Sequence, residues 1–163
     1  MPYDPQWSKI YQAEGAEIRK ITAGDNLAGI YHIGSTNIPG IMSKPLMGIL
    51  VTAKDFAKAR GWNSTLGANG YTLREDEADH LLFTKGPDNN QTVSLKVAQA
   101  DSNYARAPLL FDRYLRSHPE VAREYEQLKI KLAKKFPNDR QKYTAGKDPF
   151  IKNVIKGAEK VKL

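Results

Sequence analysis

The chain has no cysteine. Disulfide frameworks, cysteine-ligated zinc and thiol nucleophiles are therefore excluded. Histidine is scarce, with only His32, His80 and His118 present, which leaves little imidazole for metal ligation. No stretch approaches the ~20 consecutive apolar residues of a membrane-crossing helix. The opening Met1-Pro2-Tyr3-Asp4 lacks the basic and then apolar regions of a secretory leader. A cytoplasmic protein without a membrane partner is expected. Several catalytic signatures are also missing. There is no phosphate loop ending in Gly-Lys-Ser/Thr, no Gly-x-Gly-x-x-Gly, no Gly-x-Ser-x-Gly and no His-Glu-x-x-His. Asp79-His80 and Ser94 supply the residue types of a hydrolytic triad, but no spacing ties them together.

What is present starts with size and charge. The 163 residues fit one domain, 1–163, long enough to bury roughly 70% of the surface of the unfolded chain. The net charge is +7 and unevenly placed: residues 1–103 carry 10 basic and 11 acidic side chains, against 15 and 7 in 104–163. All of the excess lies in the second part. Such a basic face attracts phosphorylated ligands or nucleic acid, or is simply a solvated lysine-rich helical surface.

The hydrophobic pattern predicts an opening helix over about 5–23, strands at 29–34 and 46–52, and a helix over about 54–66. A strand at 70–74 follows, then an acidic loop at 75–79. Strands at about 80–85 and 91–98 flank Gly86-Pro87-Asp88-Asn89-Asn90, a turn-rich segment suited to a hairpin. Ser102 is placed to cap a helix. Beyond it the pattern is helical at about 105–116, 119–135 and, after Pro137, 145–160. About 1–103 forms a sheet-containing core and about 104–163 a helical cap.

The most informative stretch is His32-Ile33-Gly34-Ser35-Thr36-Asn37-Ile38-Pro39-Gly40, followed by Lys44-Pro45 and Leu46-Met47-Gly48-Ile49-Leu50-Val51. Glycine allows backbone to approach a phosphate closely, and the Ser hydroxyl and neighbouring N–H groups can donate to its oxygens. Together with Tyr3-Asp4-Pro5-Gln6-Trp7, Phe111-Asp112-Arg113-Tyr114-Leu115-Arg116-Ser117-His118-Pro119-Glu120, and Tyr143-Thr144 with Lys147, it resembles the GrpB family over nearly the whole chain. That resemblance implies an α/β (α+β) fold: a nucleotidyltransferase-like mixed sheet packed with helices, plus a helical C-terminal cap. It also implies a pocket more firmly than a reaction.

Nucleotidyl transfer through Mg²⁺ needs hard oxygen ligands, and carboxylates at i and i+2 of a strand share a face. In the resembled family an acid normally holds the position of Gly48, and often that of Leu50. Where the family runs Thr-His-His-Leu-His-Val, this chain reads Thr92-Val93-Ser94-Leu95-Lys96-Val97. No metal ligands and no cofactor are expected.

Strand alternation puts Ser94 and Lys96 on one face, where Lys96 either lines the pocket or snorkels to solvent. Ser35 and Thr36 either cradle an anion beside Gly34 or only close a turn. His32, two positions before Gly34, is expected on Gly34's face as an acid or base near neutral pH, or as a hydrogen-bonded strand-end residue. Lys44 and Arg113 complete the candidate ligand contacts, and His118 is read as a helix cap. Catalytic candidates are thus His32 and Lys96. Ligand-binding candidates are Gly34, Ser35, Thr36, Lys44, Ser94 and Arg113. The leading expectation is a module that binds a nucleotide or other phosphorylated small molecule without two-metal chemistry. The alternatives are a metal-free isomerase, cyclase or lyase acting on a small organic substrate, and a residual nucleotidyltransferase using Asp55 or the acids at 75–79. Nucleic acid is a lesser alternative partner, through the basic C-terminal helices.

Overall fold

The computed structural model describes residues 2–160. Helix α1 (Gln6–Ile21) precedes strand β1 (Leu27–Ile33), and a 3-10 turn at Ser35–Asn37 leads into β2 (Met47–Ala53). Two short helices follow, α2 (Phe56–Ala59) and α3 (Trp62–Ala68), then strands β3 (Tyr71–Asp76), β4 (His80–Lys85) and β5 (Val93–Gln99). Helices α4 (Asn103–Ser117), α5 (Pro119–Lys135) and α6 (Arg140–Lys160) complete the described chain. The five strands form one sheet in the order β1-β2-β5-β4-β3. The β2–β5 pair is parallel and the other three pairs are antiparallel.

The expected elements are present, with four differences. The helix expected over 54–66 is two pieces, because Asp55 caps α2 through the Ala57 N–H and the chain restarts after Gly61. Glu75 and Asp76 lie in β3 rather than in a loop, with a register irregularity between Leu73 and Glu75. The last helix starts at Arg140, and Pro149 sits inside it. His118 does not cap α5 with its side chain. Its Nδ1–H donates to Tyr114 O at 2.9 Å, and its ring stacks on Tyr114, closing the end of α4 instead.

Alternation on β2 divides the core between the two sides of the sheet. Met47, Ile49, Val51 and Ala53 join Leu81, Phe83, Leu95 and Val97 on one face, under Trp7 and Ile18 of α1 and Phe56 and Leu66 of α2 and α3. On the other face Leu50 packs with Ile33, Ala98 and Ala105 of α4. A third cluster ties Ile38 and Ile41, from the segment between β1 and β2, to Phe111, Leu115, Tyr125 and Val154 of the C-terminal helices. That segment thus belongs to the helical layer in its packing, although in sequence it joins two strands.

Candidate functional site

The parallel register pairs Gly48 with Ser94 and Leu50 with Lys96, so all four point to the α4 side of the sheet. Above the Gly48–Ser94 end lies a cavity of about 300 Å³. Its floor is Gly48, Ser94 and Lys96, its wall is Gly34 and Ser35 with Lys44, and its roof is Tyr125, Lys129, Arg140, Tyr143 and Lys147. Five of the lining residues are cationic and none is acidic. Gly34 makes the turn possible: its φ of 86° lies in the left-handed region that favours glycine.

The cations are arranged, not scattered. The Lys129 ammonium donates to Ser35 Oγ at 2.5 Å and to the Met42 carbonyl at 3.3 Å, and lies 4.9 Å from the centre of the Tyr125 ring. Lys44 and Lys147 both stand over the Tyr143 ring, at 4.5 Å and 4.7 Å, a favourable use of the ring's negative face. Burial, then repulsion from Lys147 and Lys44, lowers the Lys129 pKa to about 8. Burial, then repulsion from Lys44, Lys96 and Arg140, pushes Lys147 down. Positive charge is therefore in excess in the cavity, and an anion would relieve it.

Asp112 of α4 organises the wall from behind. It is buried, accepts from the Gly34 N–H at 2.8 Å, and receives a long contact from Asn37 Nδ2 at 3.5 Å. Burial raises its pKa to about 7, against the Gly34 and Asn37 hydrogen bonds and the nearby Arg116 and Lys96 charges.

Of the residues singled out from sequence, the fold brings Gly34, Ser35, Lys44, Ser94 and Lys96 together around this cavity. Three stand elsewhere. Thr36 points the other way from Ser35 and shares a 2.7 Å hydrogen bond with His32 Nε2. His32 pairs with Ile49 on the α1 side, stacked on Tyr11. It lines a separate cavity of about 260 Å³ with Thr36, Asn37 and Arg116. Its expected place beside Gly34 is corrected here: strand alternation ends at Ile33, and Gly34's left-handed turn redirects the chain. Burial, then the Arg116 charge, lowers the His32 pKa to about 4. Arg113 is exposed on α4 and does not line the cavity. The residues missed from sequence are Asp112, Lys129 and Arg140. For the two cations the signal was the charge asymmetry of the second part, which named no single residue; Asp112 stood in the 111–120 stretch that carries the family resemblance, with no role assigned.

Three further facts bear on metal binding. A Cβ at Gly48 would stand 2.7 Å from the Ile33 carbonyl oxygen, and Leu50 is fully buried. Among the described residues, no three of His, Asp and Glu come together as a ligand group. Nor is any described helix long and apolar enough to cross a membrane.

A mixed sheet carrying a glycine-serine turn between its first two strands, with helices closing over one face, is a nucleotidyltransferase-like fold. A Cid1 poly(U) polymerase structure shares it, at a TM-score of 0.54 and 13% identity over 89% of this chain and 49% of that one. The family pattern described as GrpB protein matches residues 1–157, and the chain belongs to the GrpB family, also designated UPF0157. The GrpB protein of Enterococcus faecalis superimposes with a TM-score of 0.88 at 29% identity, covering 98% of this chain and 96% of that one. The UPF0157 protein YqkA of Bacillus subtilis is 32% identical over 98% of this chain, and UPF0157 protein PA4798 of Pseudomonas aeruginosa is 34% identical over 95%. The chain spans only 47% and 65% of those two relatives.

Proposed function

We propose that the cavity binds the phosphate group of a small phosphorylated molecule without a divalent cation. The observation that carries this reading is the lining itself: Lys44, Lys96, Lys129, Arg140 and Lys147 with no acid among them. Phosphate oxygens suit such a site, since the Ser35 hydroxyl adds a donor to the charge. The fold class implies Mg²⁺, and the donor set does not fit it. Gly48 offers no side chain, Leu50 packs against Ala98 and Ala105, and the Lys96 ammonium occupies the same face. Mg²⁺ takes oxygen ligands, and here cations stand in their place.

The test is thermal stabilisation by inorganic phosphate, glycerol 3-phosphate, nucleoside mono- and triphosphates and coenzyme A precursors, with Mg²⁺ or with a chelator. Stabilisation that survives chelation, weakens as salt rises and is lost in Lys44→Ala and Lys147→Ala supports the reading. Stabilisation that needs Mg²⁺ would point back to metal-dependent transfer. No shift across the panel would overturn phosphate binding. A second reading, metal-free chemistry on an organic substrate, is favoured by one observation: the unpaired amine of Lys96.

A further inference from the structure

Lys96 differs from the other cations of the cavity in its place: it stands on the floor, on β5. Lys129 is tied to Ser35 and Met42, and Lys44 and Lys147 are held by the Tyr143 ring. Among the described residues Lys96 Nζ has neither a hydrogen bond nor an ion pair, and it stands 5.7 Å from the centre of the Tyr104 ring, farther than Lys44 and Lys147 stand from Tyr143.

Two acids influence it electrostatically, Glu75 and Asp112, yet both are engaged elsewhere. The Glu75 carboxylate is 2.7 Å from His80 Nε2, and His80 stacks on Tyr104 with ring centres 4.1 Å apart. The Asp112 carboxylate is held by the Gly34 N–H. The surroundings thus hold an amine on the cavity floor and give it no acceptor. Burial lowers its proton affinity, against the pull of those two acids, which favours the neutral, nucleophilic form.

We infer that Lys96 forms an imine with the carbonyl carbon of a phosphorylated aldehyde or ketone whose phosphate is held by Ser35, Lys44, Lys129 and Lys147. This rests on the phosphate-binding reading above. In the step, the Nζ lone pair forms a bond to the carbonyl carbon and the carbonyl oxygen takes up a proton, giving a carbinolamine. The C–O bond then breaks and the oxygen leaves as water with the two amine protons. One amine and one carbonyl become one imine and one water, and no oxidant or reductant is needed.

The experiment incubates the full chain with glyceraldehyde 3-phosphate, reduces with borohydride, and maps the adduct by peptide mass spectrometry. Stabilisation by unreactive glycerol 3-phosphate is measured in parallel. The expected result is a reduced adduct at Lys96, severalfold above that at any exposed lysine. It should be suppressed by excess glycerol 3-phosphate and be much weaker with unphosphorylated glyceraldehyde. Lys96→Met should lose the adduct while keeping the wild-type circular dichroism, with Lys96→Arg as the second variant should Met not fold. Mapping on the wild type locates the adduct whichever variant folds.

Stabilisation by glycerol 3-phosphate without an adduct at Lys96, or with equal labelling of Lys129 or Lys147, would overturn the imine and leave phosphate binding standing. An adduct at Lys96 that glycerol 3-phosphate does not suppress would overturn the assigned substrate class. Neither stabilisation nor adduct would overturn both readings.

Discussion

Gly48 offers no side chain to the cavity floor, and the geometry around it opposes adding one. An Asp there would supply a carboxylate to the cavity floor, but its Cβ would meet the Ile33 carbonyl oxygen at 2.7 Å. Backbone cannot move away as the tip of a flexible side chain can. Gly48→Asp should therefore lower the unfolding free energy in urea by about 1–3 kcal/mol, as overpacking does, and Mg²⁺ should not restore it. Asp112 and His32 make a matched pair of titration predictions. Asp112's pKa rises from 3.8 to about 7 on folding. Between those values the native state keeps a proton that the unfolded chain has lost, so Asp112 makes stability fall as pH rises. His32's pKa falls from 6.5 to about 4. In that window the unfolded chain binds the extra proton, so His32 makes stability rise with pH. The two contributions oppose each other between about pH 4 and 6.5. The melting temperature of Asp112→Asn should climb with pH there more steeply than that of wild type, and His32→Gln should climb less or decline. Wild-type slopes in both variants would contradict this account of the two groups.

At the scale of elements, the segment between β1 and β2 is tied to the C-terminal helices as well as to its flanking strands. Ile38 and Ile41 pack on α4, α5 and α6, Lys129 reaches Ser35 and Met42, and the Met42 N–H donates to Glu126. Inside the turn, the Asn37 and Ile38 N–H groups bond to Gly34 and Ser35 carbonyls. Lys129→Met removes the charge-assisted bond from α5 while keeping the stem's packing. Hydrogen exchange at Asn37 and Ile38 should then quicken severalfold while the β2 and β5 amides keep their wild-type rates. Unchanged exchange at the turn would mean that the apolar contacts alone hold it. A residue in α5 thus controls the shape of a wall formed 94 positions earlier in the chain.

For the whole molecule, charge and topology combine. The floor of the cavity comes from the near-neutral first part and most of its roof from the basic second part, so the excess of positive charge becomes local only after folding. The same arrangement predicts joint unfolding. Trp7 and Trp62 report on the layer beneath the sheet, whereas far-ultraviolet circular dichroism is dominated by helices, of which α4, α5 and α6 are the longer share. Helix α4 joins the layers, packing on the sheet through Ala105 and on the turn and the other C-terminal helices through Phe111 and Leu115. Tryptophan fluorescence and circular dichroism should therefore give coincident urea transitions. Separated midpoints would show that the helical cap unfolds on its own.

The sequence alone determined the order and type of nearly all elements, because alternation on β2 and β5 and the 3.6-residue period of α4 and α5 are local properties. It also determined that carboxylates are missing at 48 and 50, and that Ser94 and Lys96 share a face. It did not reveal which way His32 points, since alternation stops where Gly34 turns. Nor could it bring Asp112, Lys129 and Arg140 to a turn some 75 to 105 positions away. Only the tertiary structure decided that, because side chains so far apart in sequence meet through packing of the helical layer, to which local periodicity is blind.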